Sequence, residues 1–170
     1  MNYRNNFQRT IFFAILTIFS TVFCYAQTAK SSAPYENKLL NGMKLLVWQD
    51  PTAEKVTIKL RIHSGAAFDP KDKMGVMTLL AEILFPTEQA KAFFAEDLEG
   101  SLDIITTYDY IQITATGKSD EVLSMIETLS NAVVTPQITP ENFKIVQEAR
   151  LKKIQELEKN PVYLADRAVA

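Results

Sequence analysis

The chain has 170 residues and a net charge of −2, from 18 basic and 20 acidic side chains. A mildly acidic chain without a basic stripe lacks the electrostatic footprint of nucleic-acid binding, so we exclude nucleic acid as a partner. The sequence has one histidine, His63, and one cysteine, Cys24. A metal site with two histidine ligands therefore cannot form from this chain alone. His63 ends the polar face of a predicted strand, and we expect it to be exposed.

The first 26 residues are typical of a secretory signal peptide. A polar start with Arg4 and Arg9 precedes the apolar run 11–23, and Ala26 offers a small residue for cleavage. Because a membrane-spanning helix needs about 20 residues, we expect cleavage and no membrane span afterwards. Lipidation at Cys24 is the alternative to ordinary cleavage. The product would be exported, periplasmic or secreted, with 16 basic residues against 20 acidic ones.

The remainder divides into a flexible leader, residues 27–36, and one domain, residues 37–170, which is long enough to bury a core. Asn41-Gly42 stands between two apolar runs and predicts a β-hairpin. In residues 56–63 apolar and polar side chains alternate, which predicts a half-buried strand.

Residues 74–85 change to a helical period. Thr78, Ala81 and Glu82 fall on one face of this predicted helix, which core packing does not need and which could display a site. The opposite face has apolar side chains at i, i+3, i+4, i+7 and i+8, which are Val76, Leu79, Leu80, Ile83 and Leu84.

The rest of the chain predicts more helices and two further strands. Thr87, Ser119 and Thr139 stand where helix N-caps are expected. No regular strand–helix–strand rhythm is present, so we expect an α+β domain with a mainly antiparallel sheet and helices on one face. The predicted helices cover 87–98, 119–134, 139–160 and 161–170, and the predicted strands cover 102–107 and 110–116.

Three segments together carry a resemblance to a known family. Residues 40–47 match the hairpin pattern L-x-N-G-[LM]-x-x-x-V, Gly75 precedes a helix at a characteristic distance, and residues 100–104 match the pattern G-x-x-N-A. The chain, from about residue 39 to 166, thus resembles the N-terminal domain of the pitrilysin/insulinase (inverzincin) zinc metallopeptidases. Active members carry an H-x-x-E-H motif on this helix, in which two histidines hold zinc and the glutamate activates a water.

The resemblance implies that this motif is degenerate here. The corresponding run is Thr78-Leu79-Leu80-Ala81-Glu82, with Thr78 and Glu82 at the histidine positions and Ala81 at the position of the catalytic base. The third ligand, a glutamate on a later helix, corresponds to Lys153, whose ammonium has no lone pair. We therefore expect no catalytic residue, no metal ligand and no zinc cofactor. Glu82 and Lys153 would either form an ion pair in place of the metal or remain two solvated charges.

The resemblance also implies a strand that binds substrate. Asp103, Ile104 and Ile105 would lie on an edge strand that pairs with peptide in active relatives. Asp103 and Ile104 replace the family's usual Asn and Ala. A peptide or unfolded polypeptide is the partner that follows, because strand addition needs only backbone groups.

Three functions stay open at this point. The first is a non-catalytic partner or structural half that completes the chamber of a related zinc-bearing subunit. The second is an active zinc metalloendopeptidase, with ligands from another chain or from Glu82, Glu96 and Asp103. The third is a truncated fragment without independent function, because a half-molecule of the family continues beyond this C-terminus with further elements.

Overall fold

The computed structural model describes residues 33–169, and this part of the chain divides into two compact units after Pro51. The predicted signal peptide, residues 1–26, lies outside the described residues, as do residues 27–32 of the predicted leader. Within residues 33–169, no helix has both the length and the apolar character needed to cross a membrane.

The first unit contains a β-hairpin. Strand β1 (Tyr35–Lys38) pairs antiparallel with strand β2 (Lys44–Val47). The hairpin prediction is confirmed, but β1 begins earlier than expected, so the last two residues of the predicted leader belong to a strand. The turn is also wider than the predicted two-residue one, because the amide of Leu39 donates to the carbonyl of Met43 at 2.8 Å and three residues lie between them. Within it, Asn41 Oδ1 accepts a hydrogen bond from the amide of Met43 at 3.0 Å. Gly42 takes the left-handed conformation there, with φ of 86°.

The second unit is built on a three-stranded antiparallel sheet. Its strands are β3 (Lys55–Ile62), β4 (Ser101–Thr106) and β5 (Ile111–Lys118), in the order β3-β5-β4. Central strand β5 alternates buried and half-buried residues, and the other two strands alternate half-buried and exposed ones. The register places Ile104 opposite Ile113, so the apolar residues of neighbouring strands share one face. The three strand predictions are confirmed.

The five α-helices of the described part follow the predicted order. Two caps are confirmed: the Oγ1 atoms of Thr87 and Thr139 accept the amides of Ala90 at 3.2 Å and Asn142 at 3.1 Å. The predicted cap at Ser119 is wrong, because this residue begins a 3₁₀ turn and the helix after it has no side-chain cap. The helices are α1 (Val76–Glu82), α2 (Glu88–Glu96), α3 (Val122–Val134), α4 (Pro140–Leu157) and α5 (Pro161–Val169).

The core lies between the apolar face of the sheet and helices α1, α2 and α3. Phe94 is fully buried, and its ring makes edge-to-face contacts with Phe85 at 5.9 Å and Phe93 at 5.5 Å between centroids. Ile113 and Met125, from the sheet and α3, are also fully buried. Helices therefore pack on one face of an antiparallel sheet, and the expected α+β class is confirmed.

Candidate functional site

Helix α1 is held at its N-terminus by a carboxylate from the preceding loop. The two oxygens of Asp69 accept the amides of Gly75 at 2.7 Å and Met77 at 2.8 Å, groups that have no partner within the helix. Gly75 adopts φ of 95°, a left-handed conformation that side chains disfavour, so it turns the chain sharply into the helix.

The burial of α1 differs from the sequence prediction. Ala81 is fully buried in the core, although we placed it on the face that core packing does not use. Val76 and Leu80, assigned to the packing face, are 37% and 39% exposed. The helix is a short element whose inner face is set by its contacts with β4, and Met77 and Phe85 pack into the core with Ala81. The position that corresponds to the family's base is therefore filled by a methyl group inside the core.

A groove of about 660 Å³ lies beside the C-terminal end of α1. Four of the predicted site residues line it: Glu82 from α1, Asp103 and Ile104 from β4, and Lys153 from α4. Thr78 and Ile105 do not line it. The remaining lining residues are Phe85, Pro86, Thr87, Glu88, Gln89, Lys91, Leu102, Ile145, Val146, Ala149 and Arg150.

The partner of Glu82 in this groove is Arg150. The guanidinium Nη1 of Arg150 donates to the Glu82 carboxylate at 3.2 Å, and the two side chains are 31% and 29% exposed. Of the two arrangements left open for Glu82 and Lys153, the direct ion pair is wrong, since among residues 33–169 the carboxylate of Glu82 has only Arg150 as an ionic partner. Arg150 is one helical turn before Lys153, so the two side chains occupy the same face of α4. The pair links α1 to α4.

Sequence reasoning missed Arg150, although α4 carries a signal for it. Val146, Ala149, Arg150 and Lys153 recur at i, i+3, i+4 and i+7, the spacing of one helical face. Val146 is buried, which marks that face as the inner one. Lys152, the neighbour of Lys153 on α4, does not line the groove.

Strand β4 provides an open edge along the groove. It pairs with β5 only, so in the described sheet its other edge carries no strand. Alternation along β4 places Leu102 and Ile104 on the half-buried face, and Asp103 and Ile105 on the exposed one. Asp103 lines the groove and stands opposite Thr114 of β5 on the exposed face of the strand.

The residues present do not fit a zinc ion. The four positions implied by the resemblance carry a hydroxyl at Thr78, a methyl at Ala81, a carboxylate at Glu82 already paired with a guanidinium, and an ammonium at Lys153. Structural and catalytic zinc sites use at least three nitrogen, sulfur or carboxylate ligands. Within the described part of the chain, no three His, Cys, Asp or Glu residues come together as such a group, so the alternative set with Glu96 and Asp103 does not form. His63 is exposed, as predicted.

Two comparisons with known proteins agree with this fold, and a third gives no match. The crystal structure of pitrilysin superposes with a TM-score of 0.65 at 19% sequence identity, covering 72% of this chain. The chain spans only 14% of the length of that pitrilysin chain. No curated protein matches the sequence. Residues 44–169 match the family model described as Insulinase (Peptidase family M16). The chain therefore belongs to the insulinase family of peptidases, and its fold is that of a pitrilysin-like domain.

Proposed function

We propose that this chain is a non-catalytic member of the insulinase family that binds extended peptide along β4. In this proposal it acts as the partner or structural half of a related, zinc-bearing peptidase subunit. The signal-peptide pattern of residues 1–26 supports an exported protein, periplasmic or secreted.

One observation carries the non-catalytic part of the proposal. The Glu82 carboxylate is engaged by Arg150 at 3.2 Å, in a groove that Lys153 also lines, and Glu82 follows directly after Ala81, whose methyl group is buried. Two cations and one carboxylate leave a net positive charge that repels a dication, and the one carboxylate is already engaged by a guanidinium. The residues of the groove thus support binding without hydrolysis.

The peptide-binding part is supported by the edge of β4. A strand with a free edge offers backbone N–H and C=O groups to an added strand, and this mode needs no metal. The groove beside β4 supplies apolar surface for side chains of the added strand, from residues such as Ile104 and Ile145.

Metal analysis tests the non-catalytic part. The purified chain is dialysed exhaustively and its zinc content is measured, together with hydrolysis of quenched fluorescent peptides. We expect zinc well below one equivalent and no cleavage. Stoichiometric, tightly bound zinc with cleavage would favour the alternative function, an active metalloendopeptidase.

N-methylated peptides test the strand addition. In a paired strand only every second residue directs its N–H towards the neighbour. We therefore expect two N-methylated versions of one binding peptide to differ. One version is methylated on the odd-numbered residues and the other on the even-numbered residues, and only one of them should lose binding. Equal binding of both versions would contradict strand addition at β4.

The partner role has its own assay. The chain is added to a family subunit that carries an intact H-x-x-E-H motif, and peptide hydrolysis is followed over a range of concentrations. Saturable stimulation is the expected result. An aggregated chain without cooperative melting would instead indicate a fragment that has no independent function.

A further inference from the structure

We propose that the groove beside β4 selects extended peptides with an internal acidic side chain, and that Lys153 is the residue that binds this carboxylate. This inference rests on the proposed binding of peptide along β4 and adds the chemical class of the peptide.

Two charged residues that line the groove, Lys153 and Asp103, have no ionic partner among the described residues. Glu82 is paired with Arg150 at 3.2 Å, and Glu88 is paired with Lys91 at 3.1 Å, so these four charges balance one another. The Lys153 ammonium has no ionic partner among the described residues, and its side chain is exposed. The charge that helix α4 leaves for a ligand in the groove is therefore positive.

The Asp103 carboxylate lies on a different face of β4 from the apolar lining of the groove. Asp103 occupies an exposed position of β4, opposite Thr114, whereas the core-facing neighbour Ile104 is half-buried. The two side chains lie on opposite faces of the sheet. The Asp103 side chain therefore belongs to the exposed face of β4, whereas Lys153 belongs to the face of α4 that lines the groove.

Arg150 adds hydrogen-bonding capacity beside Lys153. A guanidinium has five N–H donors, and in the described structure Arg150 uses one of them, towards Glu82. Because Arg150 and Lys153 are three residues apart on α4, a single carboxylate can approach both. A carboxylate complements this pair in charge and in geometry, whereas a basic side chain would be repelled.

The geometry points to an internal side chain rather than a chain terminus. The free edge of β4 runs for six residues, Ser101–Thr106, so an added strand extends past the groove in both directions. The apolar lining at Leu102, Ile104 and Ile145 favours apolar neighbours on either side of the acidic residue. The expected ligand is an extended peptide with one acidic residue among β-branched ones.

Fluorescence anisotropy with three matched peptides tests the inference. The peptides are capped at both ends, share a β-branched framework and carry Glu, Gln or Lys at the central position. At low salt we expect the Glu peptide to bind about three- to fivefold more tightly than the Gln peptide, the size of a partly exposed ion pair. The Lys peptide should bind most weakly, and the differences should shrink as salt rises.

Two variants locate the effect. Lys153→Gln should remove the preference for Glu over Gln, and Lys152→Gln, on the same helix but outside the groove, should leave it unchanged. Both side chains are exposed, so both variants should melt like the unaltered protein.

The outcomes separate this inference from the proposed function. Binding could show the expected dependence on N-methylation and yet be equal for the Glu, Gln and Lys peptides. That result would overturn the role of Lys153 and leave strand addition intact. If an uncapped Gln peptide, with a free C-terminal carboxylate, bound as tightly as the capped Glu peptide, the assignment to an internal acidic residue would be overturned. If no peptide binds, the proposed peptide-binding function fails and the inference fails with it.

Discussion

The link between α1 and α4 through Glu82 and Arg150 can be measured by a double-mutant cycle. Each of the substitutions Glu82→Gln and Arg150→Gln removes one charge and leaves a polar side chain at the position. Either single substitution leaves the other side chain of the pair charged, half-buried and without its ionic partner. We therefore expect each single variant to be less stable than the unaltered chain, and the double variant to recover part of the loss.

The magnitude follows from the distance and exposure of the pair. At 3.2 Å and an effective dielectric constant of about 20, the direct attraction is roughly 5 kcal/mol. Desolvation and the ordering of two long side chains offset most of this, and fully exposed pairs retain about 0.2–1 kcal/mol. Because the two side chains are 31% and 29% exposed, we expect a coupling energy near the upper end, about 1 kcal/mol.

The assay is urea unfolding followed by circular dichroism, with the slope of the transition used to check that only stability has changed. A second cycle with Glu82→Gln and Lys153→Gln serves as the matched control. Its coupling should be close to zero, because Lys153 does not contact the Glu82 carboxylate in the described structure. A coupling that is larger with Lys153 than with Arg150 would refute the assignment of the ion pair.

Three further predictions concern the sheet, the start of α1 and one surface ion pair. Gly100→Ala should lower the free energy of unfolding by about 2–3 kcal/mol and the melting temperature with it, because the new Cβ would lie 1.7 Å from the backbone oxygen of Thr116. An unchanged melting temperature would contradict this close approach. Asp69→Asn should lower the free energy of unfolding by about 1 kcal/mol and speed hydrogen exchange at the first amides of α1, because the Asn side chain has only one oxygen that can accept. Unchanged hydrogen exchange would contradict the capping role of Asp69. Glu99 accepts a hydrogen bond from the ammonium of Lys118 at 2.6 Å, and this bond and the attraction of the ammonium charge lower the pKa of Glu99. The ion pair therefore stabilises the fold at a pH above the ordinary carboxylate pKa, and this stabilisation is lost as the pH falls through the lowered pKa of Glu99. An NMR titration should show this low midpoint, and Lys118→Gln should move it up; a midpoint that does not move would refute the cause.

The sequence predicted the elements of the second unit well because their signals are local. Alternation in residues 56–63 and the caps at Thr87 and Thr139 depend on near neighbours along the chain, and the structure confirms them. The resemblance added the family and the edge position of β4. It also predicted that Glu82 and Lys153 lie in the same region, and both residues line one groove. Their separation along the sequence does not predict this.

The errors concern residues whose surroundings come from distant segments. Helix α1 is only seven residues long, and its inner face depends on how it sits against β4, so periodicity assigned Ala81 and Leu80 to the wrong sides. Arg150 was missed because the resemblance assigned Lys153 to the ligand position, and a family pattern does not say which cation of α4 meets a carboxylate on another helix.

The sequence by itself determined the order of strands and helices, the family, and the absence of a second histidine, because these depend on residue identity and on short-range periodicity. The tertiary structure decided that Ala81 is enclosed in the core, that Arg150 neutralises Glu82, and that Lys153 remains unpaired in the groove. These features depend on side-chain distances of a few ångströms between segments some 70 residues apart, which only the packing of α1, β4 and α4 around a common core can fix.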